Sequence, residues 1–598
     1  MTGSFDFTEE QKRYLEGFAS GVEARRGAHA LAPMLGTHGN GAAAPSGPES
    51  IHHAAQARVL ADGKRLTAEE RAKRDKNPFD LWDEIAANAK TGRFPKGTDV
   101  FLHKFHGLFY VAPAQDSFMC RLRMPGGILN AHQLRGVADI AQRFGGRYAD
   151  VTTRANLQIR EIAVGAAPAV LMAIQELGLT SRGAGADNIR NITGSPTAGI
   201  DPQELIDTRE LSRALHHYIL NHREMYGLPR KFNIAFDGGG QVSVLEDTND
   251  IAFAACRLTD AKVAAPGVYF RLGLGGITGH GDFAKDTGVV VAPEECVAVA
   301  AAVVRVFIEH GDRSDRKRAR LKYLLDAWGI ERFMAETEKR LPFPWRRAPA
   351  AAFEPRPPIL KHGHIGIHRQ SEDGLSYIGV ALPVGRLSVA QMQALADIAD
   401  EHGSGTIRLT VWQNLLISDI PEAALGAAKQ HLEAAGLTWS ASSIRSALVA
   451  CTGNTGCKFS ATNTKGQALA LADHLEARVA LDQPVNIHLT GCPNSCAQHA
   501  VADIGLLGVK VAEGEDLVEG YHIFVGGAAG AEQRIARELW PSVPFALVLG
   551  RIEGMLRAYV EHRSQPGESF QAFVARHDLA ALRRLFEAAA ASPGAEAA

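Results

Sequence analysis

Hydrophobic and polar positions along the chain change period several times, and one succession of changes occurs twice. Over residues 131–144 apolar side chains recur every three to four positions, the spacing of a helix with one buried face. A glycine pair follows, and residues 148–162 then alternate as a half-buried strand does. The same helix, glycine turn and strand return further on. GILNAHQLRGVADIAQRFGGRYADVTTRANLQIREI (127–162) and GRLSVAQMQALADIADEHGSGTIRLTVWQNLLISDI (385–420) align without a gap at an offset of 258, with 13 of 36 positions identical. A second echo lies downstream: FNIAFDG (232–238) matches VNIHLTG (485–491), and Asp250-Ile251 matches Asp503-Ile504, both at an offset of 253. A unit of roughly 130–160 residues is therefore present twice. Duplicated α+β halves are expected to pack about a pseudo-twofold axis, and their interface suits a large ligand.

The remaining segments read more simply. Residues 5–25 predict an amphipathic helix, and 28–56 an Ala/Gly/Pro-rich linker. Residues 66–90 predict helix with a break at Asn77-Pro78. The last residues, ASPGAEAA, read as a frayed tail. At 598 residues the chain is too long for one core. A net charge of -2 gives no reason to expect a nucleic-acid partner. The acidic start lacks an apolar signal region, and no apolar run approaches the ~20 residues of a membrane helix. The odd count of seven cysteines argues against a disulfide framework, so a cytoplasmic protein is expected.

Four of those cysteines crowd into CTGNTGC (451–457) and TGCPNSC (490–496). Four thiolates suit zinc or an iron–sulfur cluster, and a five-residue spacer is longer than zinc pairs commonly use. Gly453 and Gly456 let the backbone wrap closely, and Pro493-Asn494 fits a turn that aims Cys492 and Cys496 inward. Cys120, Cys256 and Cys296 stand in apolar stretches and read as core.

The first half of the repeat carries cations that the second lacks. Arg121 and Arg123 are two residues apart on a predicted strand, so they share a face. Arg154, also read as a strand residue, aligns with Trp412, and Lys231 aligns with Pro484. Arg190 lies in DNIRNITGSP and Arg230 in GLPRKFNIAF. Cations in apolar runs need an anionic partner, here a carboxylate-rich cofactor, a small oxyanion, or both. The glycine-rich RLGLGGITGHGDF (271–283) departs from the dinucleotide fingerprint and reads as a turn, so electrons would come from a separate carrier.

These segments resemble the siroheme-dependent nitrite and sulfite reductases. TGCPNSC is similar to that family's cluster motif, and KFHGLFYVAPAQDSFMCRLRMPGG, TTRANLQIR and GLPRKFNIAF are similar to its siroheme and anion segments. The resemblance spans roughly residues 78–560. It implies an α+β fold of duplicated ferredoxin-like and siroheme-binding halves about a pseudo-twofold axis, with a helical N-terminal segment. The division it implies is a leader at 1–95, ferredoxin-like halves at 96–165 and 360–430, siroheme and anion-binding domains at 166–345 and 431–560, and a tail at 561–598. It implies a [4Fe–4S] cluster on Cys451, Cys457, Cys492 and Cys496, with Cys496 also bridging to the siroheme iron. Arg121, Arg123, Arg154, Arg190 and Lys231 match the residues around siroheme, and Arg123, Arg190, Lys231 and Asn233 those around the substrate. Sulfite-reducing members carry Lys-Phe-Lys where this chain has Lys231-Phe232-Asn233. The implied activity is six-electron reduction of nitrite to ammonia by a monomer fed by reduced ferredoxin or a similar small donor. Alternatives are sulfite reduction, a shorter precorrin-modifying monooxygenase of similar repeat and cysteine pattern, and a bare electron carrier.

Overall fold

The computed structural model describes residues 47–591, so the helix expected over 5–25 and most of the linker lie outside the described residues. The linker expected through Gln56 gives way sooner, because Ser50–Ala61 is helical. His52, Ala55 and Gln56 form the buried face of that helix. Gln56 Nε2 donates to Glu70 Oε2 at 2.9 Å. Burial pushes the Glu70 carboxyl up, but Arg313 and Lys73 outweigh it and hold the group at about 2. Helices Ala68–Asp75 and Trp82–Thr91 follow, and Asn77-Pro78 falls between them.

Two five-stranded sheets contain the first repeat. In one, the order is Leu108–Tyr110, Phe118–Arg121, Leu157–Ile162, Tyr148–Val151 and Arg386–Ser388. In the other it is Gly366–Arg369, Leu375–Val380, Leu415–Pro421, Thr406–Leu409 and Ile128–Asn130. Each sheet thus closes on a strand lent by the other half: Ser388 pairs with Tyr148, and Asn130 with Thr406. The lent strands lie 258 positions apart, so the exchange is reciprocal. Each leads into a helix, Ala131–Phe144 or Val389–His402, whose start is fixed by a capping box, Asn130 with Gln133 and Ser388 with Gln391. Leu134, Val137 and Ile140 join Met392, Leu395 and Ile398 in one core. The halves are therefore tied by backbone hydrogen bonds and by apolar burial, and the pair has pseudo-twofold symmetry.

The second echo builds two further sheets. Ile234–Asp237 pairs in parallel with Ile251–Leu258, and 253 residues later Ile487–Thr490 pairs in parallel with Ile504–Glu513. In each sheet the next strand returns antiparallel. The same carboxylate braces both crossovers. Asp250 Oδ2 accepts the Asn233 N–H at 2.9 Å, and Asp503 Oδ2 accepts that of Asn486 at 2.7 Å. No described helix is long and apolar enough to cross a membrane.

Buried imidazoles occur in both halves, and those of the second include His362, His364 and His488. Burial, chiefly, depresses His362 to about 2, His364 to about 3 and His488 to about 4. Their folded values lie below the unfolded value, so their contribution to stability is full above pH ~6.5. It is lost as pH falls from there through about 4 for His488, about 3 for His364 and about 2 for His362. Acid titration of the melting temperature is expected to fall steeply over this window. His364→Asn should flatten the slope by one proton, about 1.4 kcal/mol per pH unit. An unchanged slope would contradict this account.

Candidate cofactor and anion site

Two parallel strands, Leu448–Ala450 and Ile487–Thr490, end side by side and deliver the two cysteine motifs to the same edge. Gly491 N–H donates to Cys451 Sγ at 3.2 Å, which ties one motif to the other. The close wrap demands glycine at two positions. A Cβ on Gly491 would meet Ser460 Oγ at 1.7 Å, and Gly453 holds a φ of +77° with Thr464 N 2.8 Å from its Cβ position. All four cysteines are free thiols, with Cys496 exposed and the others half-buried. Burial first, then neighbouring cysteine charge, pushes the Cys451 thiol up and takes Cys492 to about 11. A cation among the sulfurs would offset this and favour the thiolates, which is the chemistry of a metal–sulfur centre.

The cations converge on Cys496 from the first half. A negative charge on its sulfur would raise Arg121, Arg154 and Lys231. Burial pushes Arg121 and Arg154 down to about 10, and the Arg320 charge adds to the effect on Arg154. Lys231 is driven well below the usual lysine range by burial, then by Arg320, Arg154 and Arg190. Arg190 is lowered by burial, then by Arg121 and Arg154. It spends two nitrogens on the carbonyls of Ala184 and Ala186, and its Nε has no partner. Asp250 answers part of this charge: Arg320 Nη2 is 2.7 Å from its Oδ2. The oxygen that also takes the Asn233 N–H is therefore already engaged. An excess of buried positive charge facing thiolates fits a polyanionic cofactor and an anionic substrate.

A cavity of about 390 Å³ opens here, lined by Arg154, Lys231, Asn233 and Arg320 from one half and by Asn494, Ser495 and Gln498 from the other. Lys231 and Asn233 both reach it while Phe232 between them turns into the core, as alternation requires. Asn233 Oδ1 is buried without a partner.

Two details differ from the sequence expectation. Arg154 sits on the hairpin turn between Tyr148–Val151 and Leu157–Ile162 rather than within a strand, because Ala155 takes a φ of +46° and Thr152 N–H closes onto the Asn156 carbonyl. Arg121 and Arg123 were expected to act together. The strand ends at Arg121, and Arg123 instead donates to the carbonyls of Ile189, at 2.6 Å, and Gly183. Burial lowers Arg123, whose electrostatic neighbour is Tyr226, whereas Arg121 faces Cys496, Arg160 and Cys457. Arg320, Thr278, His280 and Tyr323 were missed. The first and last stand in or beside the dense basic run RSDRKRARLKY (313–323), and the other two in the glycine-rich turn read as featureless.

Comparison with known proteins gives the family. The model of the nitrite and sulphite reductase 4Fe–4S domain matches residues 185–344 and 440–592, and that of the nitrite/sulfite reductase ferredoxin-like half domain matches 111–177 and 368–435. The chain belongs to the nitrite and sulphite reductase family. It is 36% identical over 500 residues to the ferredoxin–nitrite reductase of Synechococcus elongatus, covering 81% of this chain and 95% of that protein. It is 37% identical over 455 residues to the chloroplastic ferredoxin–nitrite reductase of Zea mays, covering 74% of this chain and 78% of that one. Among solved structures, the Mycobacterium tuberculosis NirA protein superposes with a TM-score of 0.81 at 32% identity, over 88% of this chain and 99% of that chain. As a nitrite and sulphite reductase the chain takes siroheme and a [4Fe–4S] cluster, and the sulfur set and buried cations are donors of the right chemistry for both.

Proposed function

We propose that this enzyme reduces nitrite to ammonia by six electrons, with Cys451, Cys457, Cys492 and Cys496 holding the cluster and Cys496 shared with the siroheme iron. The bound cofactors supply the electrons and the site where N–O bonds are cleaved. Arg121, Arg154 and Arg190 hold the siroheme carboxylates, with Arg123 Nε and Nη2 left without partners beside them. Lys231, with Arg320 behind it, binds the oxyanion, and Asn233 gives it a neutral hydrogen-bonding neighbour. The observation that carries this reading is the excess of half-buried cations around Lys231, open to a cavity that Asn233 leaves one charge short of a second lysine. Reduction of NO2⁻ to NH4⁺ consumes eight protons. Lys231 Nζ, depressed by its surroundings, can give one up and regain it from cavity water.

The donor is taken to be reduced ferredoxin, the protein a monomer and its compartment the cytoplasm. Each lent strand is used within the chain, which leaves no exchanged edge for a second copy. Anaerobically purified enzyme should contain about five irons, four in the cluster and one in siroheme. With dye-reduced or ferredoxin-reduced enzyme, ammonia should appear at one per six electrons, while NADH or NADPH alone gives no turnover. A colourless protein with stoichiometric zinc, or turnover on pyridine nucleotide without a donor protein, would refute the assignment.

A further inference from the structure

Apart from the cysteines, one cluster of metal-ligating side chains stands out among the described residues: Glu401, His402 and His431. Glu401 and His402 are the last two residues of helix Val389–His402, and His431 lies on the neighbouring helix Leu425–Ala434. His402 Nε2 and His431 Nδ1 are 2.9 Å apart. Glu401 Oε2 stands 3.9 Å from the first and 3.6 Å from the second.

Four-coordinate zinc with bonds of about 2.0–2.1 Å separates its ligand atoms by about 3.3 Å. The three observed separations bracket that value, so a metal enters with side-chain shifts of a few tenths of an ångström. A hydrogen bond between imidazoles explains the shortest contact alone. It does not explain a carboxylate oxygen placed near both nitrogens yet beyond hydrogen-bonding distance of either. The surroundings favour a cation, because His402 closes a helix and the C-terminal end of a helix carries partial negative charge. His402 is nearly buried, with 9% of its side chain exposed, while His431 and Glu401 are open to solvent, so one ligand is held and two can adjust.

We infer that Glu401, His402 and His431 form a second metal site, one that takes a borderline divalent ion, zinc foremost, with water in the fourth position. Two imidazoles and one carboxylate are the donor set zinc accepts in three-ligand sites. Bound there, the ion joins the end of one helix to its neighbour on the outside of the second ferredoxin-like half. Its role is to clamp the two helices. The cluster and anion cavity draw on none of these residues.

The test uses cofactor-loaded enzyme, in which the four cysteines are committed, dialysed against chelator and titrated calorimetrically with Zn²⁺. One ion per chain is expected, with a rise in melting temperature and unchanged nitrite turnover. His431→Ala should weaken binding at least about tenfold and abolish the thermal shift. His402→Gln should do the same, and circular dichroism shows whether each variant is folded. Glu401→Gln should weaken binding less. The site is refuted if wild type takes up no zinc, or if His431→Ala binds zinc as wild type does.

Discussion

Cys496→Ser is expected to leave a folded protein that has lost at least about a thousandfold in nitrite turnover, some 4 kcal/mol of transition-state stabilisation. The side chain is exposed, so exchanging sulfur for oxygen leaves no cavity. Its place in the turn is fixed by the backbone: the Cys496 carbonyl accepts Thr153 Oγ1 at 2.8 Å, a contact serine keeps. What changes is the ligand. A serine hydroxyl does not ionise near neutrality and is a poor donor to iron–sulfur centres, so the thiolate shared between cluster and siroheme disappears. Three cations also lose the negative charge they face: Arg121, Arg154 and Lys231. Two measurements check this without turnover, iron content per chain and the magnetic coupling of siroheme to cluster seen by electron paramagnetic resonance. The control is Cys256→Ser, where a buried thiol donates to the Tyr269 carbonyl at 3.4 Å. That variant should lose about 1 kcal/mol of stability and keep its activity. If the two variants behave alike, the roles given to these cysteines are wrong.

The parts of the molecule that were legible in the sequence are those that repeat or that use rare chemistry. Paired helices and strands could be read because 13 identities fall in register over 36 positions. The cysteine motifs could be read because thiols set among Gly, Thr, Asn and Pro have no use as core filler. The strand exchange was hidden, since Ile128–Asn130 and Arg386–Ser388 are three residues each and nothing local says which sheet receives them. The distinction between Arg121 and Arg123 was hidden as well. Strand alternation gives them one face, and only the loop around Gly183–Ile189 decides that Arg123 Nη1 turns to its carbonyls while Nε and Nη2 stay unpartnered. Arg320 was lost among its neighbours, because a basic run reads as a solvated surface until a partner such as Asp250 is seen.

The duplication also explains why one half binds an anion and the other does not. Asp250 and Asp503 occupy equivalent positions, each bracing the N–H of an equivalent asparagine. In the first half Arg320 pairs with Asp250, and in the second Lys361 pairs with Asp503 at 2.9 Å. Around that shared frame the side chains diverge. Where Arg154 stands in the first half, Trp412 stands in the second, stacked on His364 with ring centroids 5.4 Å apart. His488 approaches the other side of the indole at 6.2 Å. Neutral rings thus fill the position that the Arg154 guanidinium holds in the first half.

The cations of the first half set up the second large effect. Lys231→Ala should lower kcat/KM for nitrite by about a hundredfold or more, since it removes a cation that lines the anion cavity. Burial and the Arg320 charge depress Lys231, and an arriving anion raises it again. Nitrite binding is therefore expected to take up a proton and to weaken as pH rises, a dependence that Lys231→Ala abolishes. Asn233 is the residue expected to decide between anions. It is 3% exposed, shares the cavity with Lys231 and leaves its Oδ1 unpartnered. A lysine there puts a second ammonium beside the first. Nitrite carries one negative charge and sulfite up to two, so the added charge favours sulfite. Asn233→Lys should shift the nitrite-to-sulfite ratio of kcat/KM toward sulfite by about tenfold or more, roughly 1.4 kcal/mol. Its siroheme absorbance, measured alongside, separates a change of selectivity from loss of cofactor. A wild-type preference for sulfite, or an unchanged ratio in a variant that retains siroheme, would remove Asn233 from the selectivity of this site.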